Sequence, residues 1–195
     1  IWDVGHQAYI HKVLTGRAGT FAANRTQGGP SGFPRRSESP FDAWGVGHSS
    51  TALSAAVGFA RADRALGTQR HRVAVVGDGA MTGGMVFEAL NDGGGWGADV
   101  VLVINDNGMA IEENVGALHR GGPDAYRGLV ESLGWAWVDG DVDGHDVPAV
   151  VGALERALAL RGPRVLHVRT RRPSTSELGL DETAPGPEHF QSHFA

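Results

Sequence analysis

Asp78 sits between two glycines in Gly77-Asp78-Gly79, and Asn107 closes the triplet Asn105-Asp106-Asn107 further along the chain. Each group follows an apolar run: Val73-Ala74-Val75-Val76 before the first, Val100-Val101-Leu102-Val103-Ile104 before the second. Runs of this kind read as buried strands of a parallel sheet. Side by side, two such strands would bring Asp78 and Asn107 to one sheet edge. A carboxylate and an amide oxygen suit a hard divalent ion that phosphate oxygens also hold. The glycines beside Asp78 let backbone N–H groups approach an anion at the start of the next helix. Together these residues predict a Mg2+–diphosphate clamp. Alone, Asp78 could equally cap the following helix; the Asn beyond a second strand favours the clamp. Asn105 and Asp106 read as turn-shaping residues with local hydrogen bonds.

The elements that must position these groups follow from periodicity. Residues 49–66 are Ala-rich and predict a buried helix with Ser49 or Ser50 as N-cap. A strand over 73–76, a helix around 84–91 and a strand over 100–104 come next. Gly121-Gly122-Pro123-Asp124 marks a turn before a helix around 125–133. Residues 135–138 predict a strand, and 147–160 a helix whose Val147, Val150, Val151, Leu154 and Leu158 share one face. A strand over 164–168 ends the pattern. This alternation predicts an α/β fold: an open, mostly parallel sheet with helices on both faces and ligands at the carboxyl ends of the strands. Residues 1–44 are irregular, and a stretch of that kind inside a compact domain usually has a functional reason. The expected organisation is a diphosphate/Mg2+-binding domain over 1–172 and a polar tail or partner-contacting segment over 173–195.

Composition narrows the function classes. The chain has 195 residues, enough for one sizeable core. A net charge of −5 argues against non-specific nucleic-acid binding. With no cysteine, disulfides and thiolate zinc sites are excluded. No apolar run approaches a membrane span, so a soluble cytoplasmic protein is expected. Ile1 already lies inside a motif, with no initiator methionine, which leads to the expectation that the natural N-terminus is missing.

The motifs occur in the order of a known family. Ile1-Trp2-Asp3-Val4-Gly5-His6-Gln7-Ala8-Tyr9, Ser31-Gly32-Phe33-Pro34-Arg35-Arg36-Ser37-Glu38-Ser39 and Gly47-His48-Ser49-Ser50-Thr51 resemble the cofactor domain of 1-deoxy-D-xylulose-5-phosphate synthase. So do Gly77-Asp78-Gly79-Ala80-Met81-Thr82, Asn105-Asp106-Asn107, Asn114-Val115-Gly116-Ala117-Leu118 and Val142-Asp143-Gly144-His145-Asp146-Val147. The resemblance implies a transketolase-like fold that binds thiamine diphosphate and Mg2+, with metal ligands Asp78, Asn107 and the carbonyl of Met109. It further implies cofactor contacts from His6, Gly47, His48, Ser49, Gly79, Ala80 and Trp137, the last replacing a tyrosine of the family. His6, His48 and His145 are the candidate catalytic groups, since neutral imidazole can donate to phosphate or to a developing oxyanion. Each also has a plainer reading: structural or exposed for His6 and His48, part of a turn for His145. Arg35 and Arg36 could hold a phosphorylated substrate or simply be solvated. His11 and Lys12 read as surface residues or a second layer behind the site.

In this family the cofactor-activating Glu and the acceptor's phosphate-binding arginines come from a second domain, absent from this sequence. Glu112 and Glu113 lie on the diphosphate side, and nothing assigns either of them that role. Two departures are visible. The segment from Leu118 to Asp141 is short for the family, and Arg171-Arg172-Pro173-Ser174-Thr175 replaces its Lys-Gly-Arg-Gly-Tyr stretch. The resulting expectation is one component of a carboligase that decarboxylates pyruvate and passes two carbons to an aldehyde, with a partner chain or domain completing the site. A transketolase-type ketol transfer subunit and a non-catalytic cofactor-binding scaffold are the alternatives.

Overall fold

The computed structural model describes residues 1–5, 7–110 and 114–171. Its centre is a parallel sheet of β1 (Val73–Gly77), β2 (Val101–Asp106), β3 (Ala136–Asp143) and β4 (Arg164–Arg169), in the order β1-β2-β4-β3. The expected α/β architecture is therefore present. β1 and β2 are neighbours, with Gly77 opposite Asn105. Beyond β1, Trp2 forms a parallel bridge to Val75. The Asp3 N–H donates to the Val75 carbonyl at 2.8 Å, and the Val75 N–H donates to the Ile1 carbonyl at 2.9 Å.

Period-two alternation sends side chains to two cores. Ala74, Val76, Leu102, Ile104 and Val165 meet α2 (Ala52–Leu66), α3 (Gly84–Trp96) and α5 (Gly122–Ser132), which follows the short α4 (Ala117–Arg120). Val101, Val103, Leu166 and Val168 meet α6 (Val147–Ala159) on the other face. Helices thus cover both faces of the sheet, as parallel strands require.

Local details depart from expectation for identifiable reasons. α2 begins at Ala52, and neither Ser49 nor Ser50 caps it through its side chain; Thr51 holds the cap position without a side-chain bond. The cap comes instead from Asp3, whose carboxylate accepts the N–H of Ser50 (2.8 Å) and of Ala52 (2.9 Å). α3 runs on through Gly93-Gly94-Gly95 to Trp96. A Cβ at Gly93 would lie 2.8 Å from the Trp135 ring, and one at Gly94 would strike the Leu133 carbonyl. Those glycines mark close packing, not a helix stop. On α6 the buried positions are Ala153 and Ala157, flanked by Val150, Leu154 and Leu158, while Val147 and Val151 are exposed. The expected stripe was rotated, because small residues sit against the sheet.

His11 and Lys12 are not surface residues. α1 (Gln7–Lys12) leads into irregular helical turns over Val13–Arg17 and Ala18–Ala23. The Lys12 side chain is 0% exposed and pairs with Glu38 at 2.9 Å. His11 lies 2.8 Å from Asp42, and Arg17 grips the same carboxylate through Nη1 (2.7 Å) and Nη2 (2.9 Å). The Arg35 N–H donates to it as well, at 2.8 Å. This network pins the loop containing Arg35 and Arg36, whose side chains remain exposed. The tail over 173–195 lies outside the described residues, as do His6, Glu112 and Glu113. Among the described residues, no helix is long and apolar enough to cross a membrane.

Candidate functional site

Asp78 extends the β1–β2 ladder by one residue, its N–H donating to the Asn105 carbonyl at 3.1 Å. α3 starts only at Gly84, with Gly83 as a cap residue that makes no side-chain bond. Asp78 is therefore not a helix cap. Its side chain is buried, 2% exposed, and accepts the Nδ2 of Asn114 at 2.5 Å. Burial pushes the Asp78 carboxyl above the ordinary carboxylate range, and the neighbouring Asp106 carboxylate pushes it further. The N–H groups of Gly79 and Gly108 pull the other way. Neither Asp78 nor Asp106 pairs with a lysine or arginine among the described residues.

Asp106 ends β2. Its Oδ1 accepts the Gly108 N–H at 3.1 Å, the local bond expected of a turn-shaping residue. Its Oδ2 lies 2.9 Å from Nε2 of His167, a partner on β4. Contact with His167 holds the Asp106 carboxyl below its usual range, against the opposing effect of burial. Asn105 likewise bonds at long range: its Oδ1 accepts the Thr170 hydroxyl at 2.8 Å. The Asn107 amide oxygen accepts the Met109 N–H at 2.9 Å, and Gly108 takes φ +74°, so the turn over 107–109 is tightly folded.

Gly79 is required by the protein itself. A Cβ there would lie 2.8 Å from the Ala110 Cβ and 3.2 Å from the Asn114 oxygen. The loop after β2 thus closes against the turn after β1. Gly47, His48 and Ser49 are exposed, and Ser50 ties them to that turn. Ser50 is buried with φ +72°, uncommon for a non-glycine residue, and its hydroxyl donates to the Ala80 carbonyl at 2.8 Å.

The structure therefore gathers Asp78, Gly79, Ala80, Asn107 and Met109 at the carboxyl ends of β1 and β2, with the 47–49 loop tethered beside them. His145 follows β3, at the far edge of the sheet from β1, three strand spacings or about 14 Å across. Its Nε2 accepts the Arg171 N–H at 2.9 Å. Trp137 pairs with Val165, lower in the sheet, and its ring stacks on His167 with centroids 5.8 Å apart. His6 lies outside the described residues.

Asn114 and His167 escaped the sequence reading as side chains with a role. Asn114 stood in a motif but carried no local signal of its bond to Asp78. His167 had one: a polar residue between Leu166 and Val168, in a strand otherwise apolar through its middle.

The residues present fit a divalent ion. Two adjacent carboxylates, one of them buried and with no lysine or arginine partner among the described residues, lie beside an amide oxygen and a backbone turn. Among the described residues no three His, Cys, Asp or Glu side chains cluster as a metal site, so the ion would need oxygens from a second ligand, as Mg2+ with a diphosphate does.

Comparison with known proteins agrees with this geometry. A family model described as 1-deoxy-D-xylulose-5-phosphate synthase matches residues 1–121. The synthase of Thioalkalivibrio sulfidiphilus is 44% identical over 211 residues, covering 88% of this chain and 33% of its own length. That of Carboxydothermus hydrogenoformans is 43% identical over 215 residues, covering 88% and 34%. The chain thus spans about a third of the length of the curated relatives it matches. The aligned stretch of 211 exceeds the 195 residues of the whole chain, so the relative carries residues within the match that this chain lacks. Among solved structures, transketolase from Leishmania mexicana superposes with a TM-score of 0.72 at 20% identity, covering 87% of this chain and 28% of that one. Transketolase from Campylobacter jejuni gives 0.69 at 20% identity, with the same coverage. These establish a transketolase-like fold. Synthases and transketolases of these families use thiamine diphosphate and Mg2+. On the match of the family model over its first 121 residues, this chain belongs to the 1-deoxy-D-xylulose-5-phosphate synthase family.

Proposed function

We propose that this chain is the thiamine diphosphate- and Mg2+-binding component of a carboligase that decarboxylates pyruvate and transfers the two-carbon unit to an aldehyde, in isoprenoid or specialised-metabolite biosynthesis. The observation that carries the reading is the buried Asp78 beside Asp106, with no lysine or arginine paired to either among the described residues, at adjacent ends of parallel strands. Asp78, Asn107 and the Met109 carbonyl would hold the ion. Gly79, Ala80, Gly47, His48 and Ser49 surround the place for the diphosphate, with His6 and Trp137 as further cofactor contacts. When bound, thiamine diphosphate supplies an electron sink for decarboxylation. The protein's part is to neutralise and orient the diphosphate and to keep proton donors such as His48 and His145 near the reacting carbonyl.

The activating Glu and the acceptor's phosphate-binding arginines would come from a second domain or chain. Identity of 44% to a synthase, against 20% to transketolases, favours the decarboxylating reaction over ketol transfer. The test is native mass spectrometry of the protein purified from its source with thiamine diphosphate and Mg2+ present. A complex with a second polypeptide of pyrimidine-domain type, or a longer product of the same gene carrying that domain, is the expected result. This chain alone, self-associated and holding cofactor, would favour a scaffold instead.

A further inference from the structure

His167 occupies a place where packing alone would select an apolar residue. It lies on β4, between β2 and β3, opposite Ile104, and its side chain is 0% exposed. Burying an imidazole there costs free energy unless its nitrogens are bonded. Only Nε2 is: it meets Asp106 Oδ2 at 2.9 Å, while Nδ1 has no partner among the described residues. The ring is held in plane by Trp137, stacked at 5.8 Å, and by Tyr126, tilted at 5.9 Å. The site is thus built around a single bond.

What that bond does follows from the other oxygen. Asp106 and His167 are diagonal neighbours on one face of the sheet, since Ile104 is opposite His167 and Asp106 lies two residues on. With Oδ2 fixed by the imidazole, the carboxylate cannot rotate, and Oδ1 stays on the Gly108 N–H at 3.1 Å. Gly108 is the left-handed residue of the turn, and its neighbours Asn107 and Met109 are the proposed ion ligands. We propose that His167 is a positioning residue which, through Asp106, fixes the 107–109 turn in the conformation that presents the ion-binding oxygens. This rests on the ion-binding reading above. A histidine serving only the core would be replaceable by any apolar side chain of similar volume.

The test compares His167→Leu, His167→Gln and Asp106→Ala with the wild-type chain. One readout needs no ligand: amide hydrogen exchange at Gly108 and Met109. The second is affinity for Mn2+ in the presence of thiamine diphosphate. Loss of an outer tie of this kind typically weakens metal binding by ~10–100-fold. His167→Leu and Asp106→Ala should both do so, and both should speed exchange at Gly108 by about tenfold or more. The double variant should be no worse than either single one, because the two residues act through one bond. His167→Gln, which keeps a donor, should restore most of the affinity and protection. Wild-type protection and affinity in a folded His167→Leu protein would overturn the proposal. Should that variant fail to fold, full loss of affinity in His167→Gln, or none in Asp106→Ala, would overturn it equally. If no variant, wild type included, binds Mn2+ with thiamine diphosphate while the exchange pattern holds, the ion-binding reading fails and the positioning of the turn stands.

Discussion

Asp42 and Asp78 are both buried carboxylates, and the chain treats them in opposite ways. Around Asp42 it supplies everything a carboxylate needs: two bonds from Arg17, one from His11 and one from the Arg35 N–H. Burial alone would raise the Asp42 carboxyl, but these partners outweigh it and bring it down to about 2. Around Asp78 it supplies the Asn114 amide and the N–H groups of Gly79 and Gly108, set against a second carboxylate. There burial wins, and the carboxyl is raised. The first carboxylate is complete within the fold and does structural work. The second has no lysine or arginine partner among the described residues and lies at a strand end, which is where an ion from outside would be held.

The sharpest break of this contrast is Arg17→Ala. It would leave the Asp42 charge buried without its guanidinium partner, costing about 3–5 kcal/mol, read as a fall in the denaturation midpoint. Acid should find the same network. The Asp42 carboxyl is depressed in the folded state, so its contribution is full above the ordinary value near pH ~3.9 and is lost as pH falls through about 2. Thermal unfolding followed down that range should fall more steeply for wild type than for Asp42→Asn. Gly79→Ala tests the other region: its Cβ would meet Ala110 at 2.8 Å, pushing the loop off the turn. Overpacking of this kind costs about 1–3 kcal/mol, and cofactor affinity should drop with it. The smallest effect is expected for Asp78→Asn without metal. Removing a buried carboxylate with no lysine or arginine partner among the described residues should leave stability within about 1 kcal/mol of wild type, or raise it slightly. Urea titration at neutral pH checks this.

How much of this was legible in the sequence depends on range. Apolar runs before Asp78 and Asn105 predicted parallel strands, and the residues after them predicted a shared edge provided the strands were neighbours, as they are. Both signals are local. Asp3 capping α2, Ser50 tying its loop to Ala80, and Lys12 buried against Glu38 join residues far apart in sequence, and no local pattern marks them. The length of α3 beyond residue 91 was not legible, because a glycine that admits a neighbouring ring looks the same in sequence as one that ends a helix. Asp106 was legible only in half: its bond to Gly108 follows from turn chemistry, its bond to His167 from strand order, which the sequence does not state.

The central claim is that Asp78 ligates an external divalent ion carried with a diphosphate. The most direct measurement is a calorimetric titration of thiamine diphosphate into the protein with Mg2+, repeated with Asp78→Asn. Saturable, Mg2+-dependent binding by wild type, abolished in an Asp78→Asn protein of unchanged stability, is the result expected. Equal binding by both proteins, or binding indifferent to Mg2+, would contradict it.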